Sequence, residues 1–201
     1  MTGAERIMNA RPDFAAIARW IGSGKRVLDL GCGDGTLLDF LRRARAVHGY
    51  GIEIDDQKVT ECVRNGVNVM QMNLESGLSA FRDGSFDYVI LSQTLQAVRH
   101  TEDIMREMLR VGREAIVSFP NFGHWSARLQ VARGRMPVSD ALPYQWFDTP
   151  NVHLCTIHDF EALCEKLSIR VLERVVLHGG RPVSVMPNLF GSLAVYRCTS
   201  D

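Results

Sequence analysis

The sequence has no surplus of charge: 23 Lys and Arg residues balance 23 Asp and Glu. Nonspecific binding to a phosphate backbone needs a basic surplus, so a nucleic-acid partner is not expected. Cysteine is sparse. The five (Cys32, Cys62, Cys155, Cys164 and Cys198) are odd in number and form no Cys-x-x-Cys pair, which argues against a disulfide framework or a structural zinc site and fits a reducing cytoplasm. No apolar run approaches the roughly 18 residues that a bilayer span requires. Residues 1–6 lack the apolar block of a secretory signal. A cytoplasmic protein without a membrane partner is therefore expected. Internal repeats, low-complexity tracts and linkers are also missing. What remains is 201 residues, 46% hydrophobic and 23% charged, enough to bury a core as one domain spanning 1–201 and too apolar to stay disordered.

The hydrophobic pattern alternates helix and strand. A helix starts near Pro12, with Phe14, Ile17, Ala18 and Ile21 on one face and Gly22 at its exit. Residues 26–30 read as a short buried strand, 36–45 as a helix and 47–54 as a second strand. Asp55 suits the cap of a helix ending at Gly66. Strands follow at 67–71 and 86–91. Thr101 suits the next cap, with Glu102 and Asp103 in the first turn, and 114–119 is a fifth strand. Continuous apolar strands separated by helices indicate a parallel sheet covered on both faces. Thr156 and Asp159 sit at capping-box spacing ahead of Phe160, Leu163, Cys164 and Leu167. Residues 170–177 and 193–198 then read as two strands with no helix between them, an antiparallel hairpin closing the sheet. Met70, Met72, Met105 and Met108 read as core fillers.

Residues 134–155 show no clear period, and loops that long are uncommon. Six of the sixteen aromatics lie between 119 and 147 (Phe119, Phe122, Trp125, Tyr144, Trp146 and Phe147). Segment 119–155 is therefore expected to cover something apolar, either as a cover on the chain's own core or as a lid or docking surface.

The most informative stretch is Val27-Leu28-Asp29-Leu30-Gly31-Cys32-Gly33-Asp34-Gly35, a buried strand running into a glycine-rich turn before a helix. Gly31 and Gly33 let a ligand approach the backbone, and the helix N-terminus offers free N–H groups. The dinucleotide fingerprint Gly-x-Gly-x-x-Gly would need glycine at position 36, which is Thr36. Glu53 lies 24 residues after Asp29, near the end of the second strand. A carboxylate there can accept from both hydroxyls of a ribose; the plainer role is a solvated charge. Asp55 is the alternative acid, but its capping position accounts for it. Asn73 follows the third strand, and Ser92 and Gln93 end the fourth, where open α/β sheets contact ligands.

Three other constellations are weaker. His153-x-Cys155-x-x-His158 lacks a fourth metal ligand, so no metal is expected. Cys155 lacks the base and oxyanion site of a nucleophile. Gly22-Ser23-Gly24-Lys25-Arg26 fails as a phosphate loop because position 26 is not Ser or Thr. Arg128, Arg133 and Arg135 form a basic cluster without nearby acids, either a solvated face or a surface for an acidic partner.

The Gly31-x-Gly33-x-Gly35 form after Asp29 resembles motif I of the class I S-adenosylmethionine (SAM) dependent methyltransferases. The resemblance covers residues 26–119. It implies a Rossmann-like fold with a mostly parallel seven-stranded sheet, a C-terminal antiparallel hairpin and helices on both faces. It implies SAM or S-adenosylhomocysteine as cofactor, held by Asp29, Gly31, Gly33, Glu53 on the ribose, Asn73 and the Leu74 N–H at the adenine, and Ser92 beside the substrate. No Pro-Gly-Gly precedes the fifth strand, no Asn-Pro-Pro-Tyr follows the fourth, and no catalytic base stands out. Ser118-Phe119-Pro120-Asn121-Phe122-Gly123-His124-Trp125, residues 144–153 and Gln93-Thr94-Leu95-Gln96 resemble the methionine-biosynthesis MetW family over nearly the whole chain. This implies a SAM-binding accessory or regulatory protein acting with homoserine O-acyltransferase. The alternative is an active methyltransferase on an unknown small molecule. A dehydrogenase is disfavoured by the glycine spacing.

Overall fold

The computed structural model describes residues 11–139 and 142–200; residues 1–6, read above for a signal, lie outside it. The elements in chain order are α1 (Pro12–Trp20), β1 (Arg26–Leu30), α2 (Thr36–Arg45), β2 (His48–Glu53), α3 (Asp56–Arg64) and β3 (Asn68–Gln71). Next come β4 (Phe86–Ser92), α4 (Thr101–Val111), β5 (Gly112–Pro120) and α5 (Trp125–Ala132). The chain then forms α6 (Ile157–Lys166), β6 (Ile169–His178), β7 (Arg181–Pro182), α7 (Pro187–Phe190) and β8 (Leu193–Ser200). The sheet order is β3-β2-β1-β4-β5-β8-β6-β7. Strands β1 to β5 pair in parallel, and β8 runs antiparallel between β5 and β6.

Side chains alternate across this sheet because the strand period is two. Leu28, Leu30, Val89, Leu91, Ala115, Val117 and Tyr196 join one core with α4 and α6. Val27, Ile90, Ile116 and Val195 join the other with α1 and α2. Both faces are covered, so the central strands β1, β4 and β5 are apolar on both sides and read in sequence as continuous runs.

Local chemistry sets the element ends. The Asp55 carboxylate accepts from the N–H groups of Gln57 and Lys58, capping α3 as its position implies. Thr156 and Asp159 form the reciprocal capping box of α6. Asn121, in the Ser-Phe-Pro-Asn stretch, is buried and stitches the end of β5 to its surroundings. Its amide donates to the carbonyls of Asn188 (3.1 Å) and Gly191 (2.7 Å), and its carbonyl accepts from the Gly123 N–H at 2.9 Å.

Four expectations change. The α4 cap is His100, with Thr101 as the first helical residue. A two-residue strand, β7, and the four-residue α7 lie between the last two long strands, too short to show a hydrophobic period. The sheet therefore has eight strands, the eighth being that short edge piece. Met105 and Met108 are core residues, whereas Met70 is 39% exposed because β3 is the sheet edge.

Gly51 on β2 lies beneath the glycine turn, and an added Cβ would overlap the sulfur of Cys32. Gly51→Ala is expected to cost about 1–3 kcal/mol through overpacking, read by urea unfolding. Cys32→Ala in the same chain should recover part of that loss; no recovery would place the strain elsewhere.

Candidate functional site

The direction of strand addition reverses between β1 and β4. From β1 the chain adds β2 and β3 to one side; from β4 it adds β5 to the other. Such a switch point leaves a crevice at the carboxyl ends of the strands. A cleft of about 220 Å³ lies there, lined by Arg11, Phe14, Asp29, Gly31, Gly33 and Ser92 among others.

The turn after β1 is held from several sides. Gly31, Gly33 and Gly35 all adopt positive φ, between 57° and 79°. The N–H groups of Gly31 and Cys32 both donate to the Ile52 carbonyl, at 2.8 and 3.0 Å. The Cys62 thiol donates to the Gly33 carbonyl (3.1 Å) and the Asn65 amide to that of Asp34 (3.0 Å). At Gly33 nothing lies within 4 Å of where a Cβ would be, so its backbone faces open space.

Asp29, the penultimate residue of β1, is a buried carboxylate. Its Oδ1 has no hydrogen-bond partner among the described residues. Burial raises its pKa from the ordinary 3.8 to about 7; the Arg11 charge acts against that shift, and Asp13 and Glu53 add to it. Asp13, on α1, is also buried but takes the opposite course. Its carboxylate accepts from Arg11 Nε (3.1 Å) and Nη2 (2.9 Å), from Ser92 Oγ (2.7 Å) and from Ser118 Oγ (3.2 Å). Burial alone would raise its pKa, but the Arg11 hydrogen bonds and charge, with those of Ser92 and Gln93, outweigh burial and lower it. Arg11 also donates to Ser92 Oγ (2.6 Å) and lies 4.4 Å from the centre of the Phe14 ring. The first helix is thus bolted onto the ends of β4 and β5.

Of the residues singled out in the sequence, Asp29, Gly31, Gly33 and Ser92 share this cleft. Glu53 stands at the end of β2 and meets the turn through the Gly33 N–H, 2.9 Å from Oε2, while its Oε1 accepts from the N–H groups of Ile54 (2.8 Å) and Asp55 (3.1 Å). Asn73 and Leu74 lie outside the cleft lining. They follow β3, whose Met72 N–H donates to the Glu53 carbonyl at 3.0 Å, so they extend the same edge. The Asn73 carbonyl also has a local task, accepting from the Glu75 N–H at 3.0 Å. His153 faces the Arg99 carbonyl (3.0 Å) and His158 lies exposed in α6.

Sequence reasoning missed Arg11, Asp13 and Ser118. A signal existed for two of them: Asp13 lies one turn before Ile17 on the apolar face of α1, and Ser118 interrupts a buried apolar run.

Sheet order, glycine turn and strand-end acids together define the fold of the class I SAM-dependent methyltransferases. Solved structures agree. A SAM-dependent methyltransferase from Archaeoglobus fulgidus superposes with a TM-score of 0.71 at 15% identity, covering 96% of this chain and 93% of that one. A possible histamine N-methyltransferase from Thermotoga maritima gives 0.69 at 18%, covering 98% and 94%. Magnesium protoporphyrin IX methyltransferase from Synechocystis, with SAH bound, gives 0.67 at 17%, covering 100% and 89%. At these identities the likeness is one of fold. The chain itself belongs to the methionine biosynthesis protein MetW family, whose model matches residues 11–198. It is also 39% identical over 173 residues to the bifunctional methionine biosynthesis protein MetXA/MetW of Rhodopirellula baltica. That match takes in 81% of this chain and 28% of the relative, so the chain spans under a third of that protein.

Because the folded Asp29 pKa lies above its unfolded value, the folded chain keeps a proton that the unfolded chain has lost between pH 3.8 and about 7. Stability contributed at this site therefore falls as pH rises through that window. Asp29→Asn removes the slope. Urea unfolding should show the variant gaining on the parent between pH 5 and pH 8; a difference that does not move with pH would contradict the assignment.

Proposed function

We propose that the chain is a cytoplasmic, SAM- or S-adenosylhomocysteine-binding regulator of methionine biosynthesis that acts with homoserine O-acyltransferase. Three features in and beside the cleft fit that ligand: an Asp29 oxygen without a partner among the described residues, bare backbone at Gly33, and the Glu53 carboxylate at the end of β2, which meets the turn at the Gly33 N–H. In this reading Glu53 holds the ribose hydroxyls, the Gly31–Gly33 backbone and Asp29 hold the amino-acid end, and Asn73 and Leu74 flank the adenine. When bound, SAM supplies a sulfonium-borne methyl group.

The observation that carries regulation over methyl transfer is the position of Asp13. An acceptor was expected beside Ser92, at the end of β4. Instead, the Asp13 carboxylate accepts from Ser92 and Ser118, at the ends of β4 and β5, with Arg11 completing the cluster. A substrate approaching there would first have to displace donors from a buried carboxylate, which is costly. The bifunctional relative, which by its name combines MetXA with MetW in one chain, supports association with another pathway enzyme.

Segment 119–155 is the proposed docking surface rather than a lid, since none of its described residues lines the glycine-turn cleft. It exposes Trp125, Met136, Trp146 and Phe147, the last two at 72% and 70%. Arg133 and Arg135, both exposed, stand beside this apolar patch.

Pull-down from native cytosol with and without SAM tests partner and ligand together. The acyltransferase should be captured in a SAM-dependent amount. Glu53→Ala, with affinity about 10- to 150-fold lower after losing a charged acceptor, should remove the SAM dependence. Trp146→Ala with Phe147→Ala should remove capture and leave SAM affinity unchanged. An acyltransferase indifferent to this protein, or a methylated metabolite formed from labelled SAM, would contradict the proposal.

A further inference from the structure

Two histidines meet outside the lining of the glycine-turn cleft, where the chain leaves β5 for α5. His124 immediately precedes α5 and is only 8% exposed. His178 is the last residue of β6 and is exposed. Their rings stack with centroids 4.9 Å apart and 24° between the planes. Each ring is held by a serine: His124 Nδ1 lies 2.8 Å from Ser126 Oγ, and His178 Nδ1 lies 3.2 Å from Ser192 Oγ. His124 Nδ1 also accepts from the Ser126 N–H at 3.4 Å and so caps α5. Its Nε2 is buried with no hydrogen-bond partner among the described residues.

We propose that the stacked rings of His124 and His178 form a proton-sensitive latch that fastens the start of α5 to the end of β6, closed while His124 is neutral and released by acid. The latch stands apart from the SAM reading of the cleft; its bearing on docking rests on the reading of segment 119–155 as the docking surface. Trp125, the first residue of α5, is 48% exposed, and its ring lies 5.7 Å from that of His124. The latch therefore sets how this part of the segment is presented.

An Nδ1 that accepts the Ser126 N–H is unprotonated, so the neutral ring carries its proton on Nε2. A second proton removes that acceptor and places a positive charge at a helix N-terminus, where the dipole repels it. The charge would also be buried and would face another imidazole. Burial first, and then the charge of His178, hold the His124 pKa below its ordinary 6.5. The charged neighbours give no relief. Arg128, on α5 itself, donates from Nε to the Gly123 carbonyl at 2.6 Å, and Arg181 on β7 stands opposite His178 across the hairpin. From the end of β5 and from α7 come amides, Asn121 and Asn188, packed at Gly123. No carboxylate among the described residues bonds to either ring. Once released into water, His124 takes up a proton at about 6.5. The stability that the closed latch contributes is thus fully present above that pH and is lost as pH falls through the window beneath it. Between pH 7.5 and pH 5.5 the open form gains about 10-fold on the closed one.

The test is amide hydrogen exchange of the whole chain at pH 7.5 and pH 5.5, with each rate divided by the chemical exchange rate at that pH. In the parent, protection over residues 128–132 of α5 should fall about 10-fold on acidification, while β1 and β4 lose none of theirs and report that the chain stays folded. His124→Asn keeps a capping acceptor and has nothing to titrate, so its α5 protection should not move with pH. His178→Ala, at an exposed position, should lessen the fall, because a charge on His124 then meets no second ring. Protection of α5 that does not move in the parent, or a core that loses protection in step with α5, would overturn the proposal. So would a His124→Asn chain that falls like the parent, or a fall that is undiminished in His178→Ala.

Discussion

The fold leaves a buried acid near the end of the first strand with an oxygen that no described residue hydrogen-bonds. Asp29 is the penultimate residue of β1, at the switch point between β1 and β4, and both faces of the sheet are covered by helices. Its side chain is confined to a shell in which no described residue supplies a donor to Oδ1. The surrounding features answer to this constraint. The glycines let the chain turn away from the acid without filling the space in front of it. Glu53 pins the turn from the neighbouring strand through the Gly33 N–H. Arg11 lowers the electrostatic cost of the buried charge without hydrogen-bonding to it. A buried polar group without a partner calls for an explanation, and in the proposed reading a ligand supplies it.

The contrast with Asp13 sharpens the point. Both aspartates are buried and both feel Arg11, yet one is fully partnered and the other is not. Asp13 with its four donors behaves as a rivet between helix and sheet. Asp29 behaves as a socket. A methyltransferase needs an open approach for an acceptor; in the proposed reading the rivet stands in that approach. On that reading the architecture would hold a nucleoside and serve to sense it. SAM derives from methionine, so a protein that holds SAM and docks on an early enzyme of the pathway can report output to input.

What was legible in the sequence was local. The strand–turn–helix at Asp29 to Gly35, the caps at Asp55 and Thr156, and the acid at the end of β2 are written within a few residues of one another, and each takes the form its neighbours dictate. The alternation of apolar strands and helices announced a parallel sheet because burial on both faces leaves continuous apolar runs. The rivet was not legible. Asp13 meets Ser92 and Ser118 across 79 and 105 residues of sequence, and no spacing rule links them. Thr101 has the composition of a cap, yet backbone geometry gives that place to His100. The edge position of β3, which exposes Met70, follows from strand order. The helix α7 has a single turn, too short for any period. For the adenine side, Asn73 reads equally well as a turn-capping residue, and in the structure it caps.

The most direct measurement is a crystal structure of the chain grown with S-adenosylhomocysteine. The account predicts the ligand ammonium within hydrogen-bond distance of Asp29 Oδ1, the ribose hydroxyls on Glu53, and α1 still seated on Ser92 and Ser118. An empty crevice at saturating ligand, or a ligand bound with Asp29 still unpartnered, would contradict it.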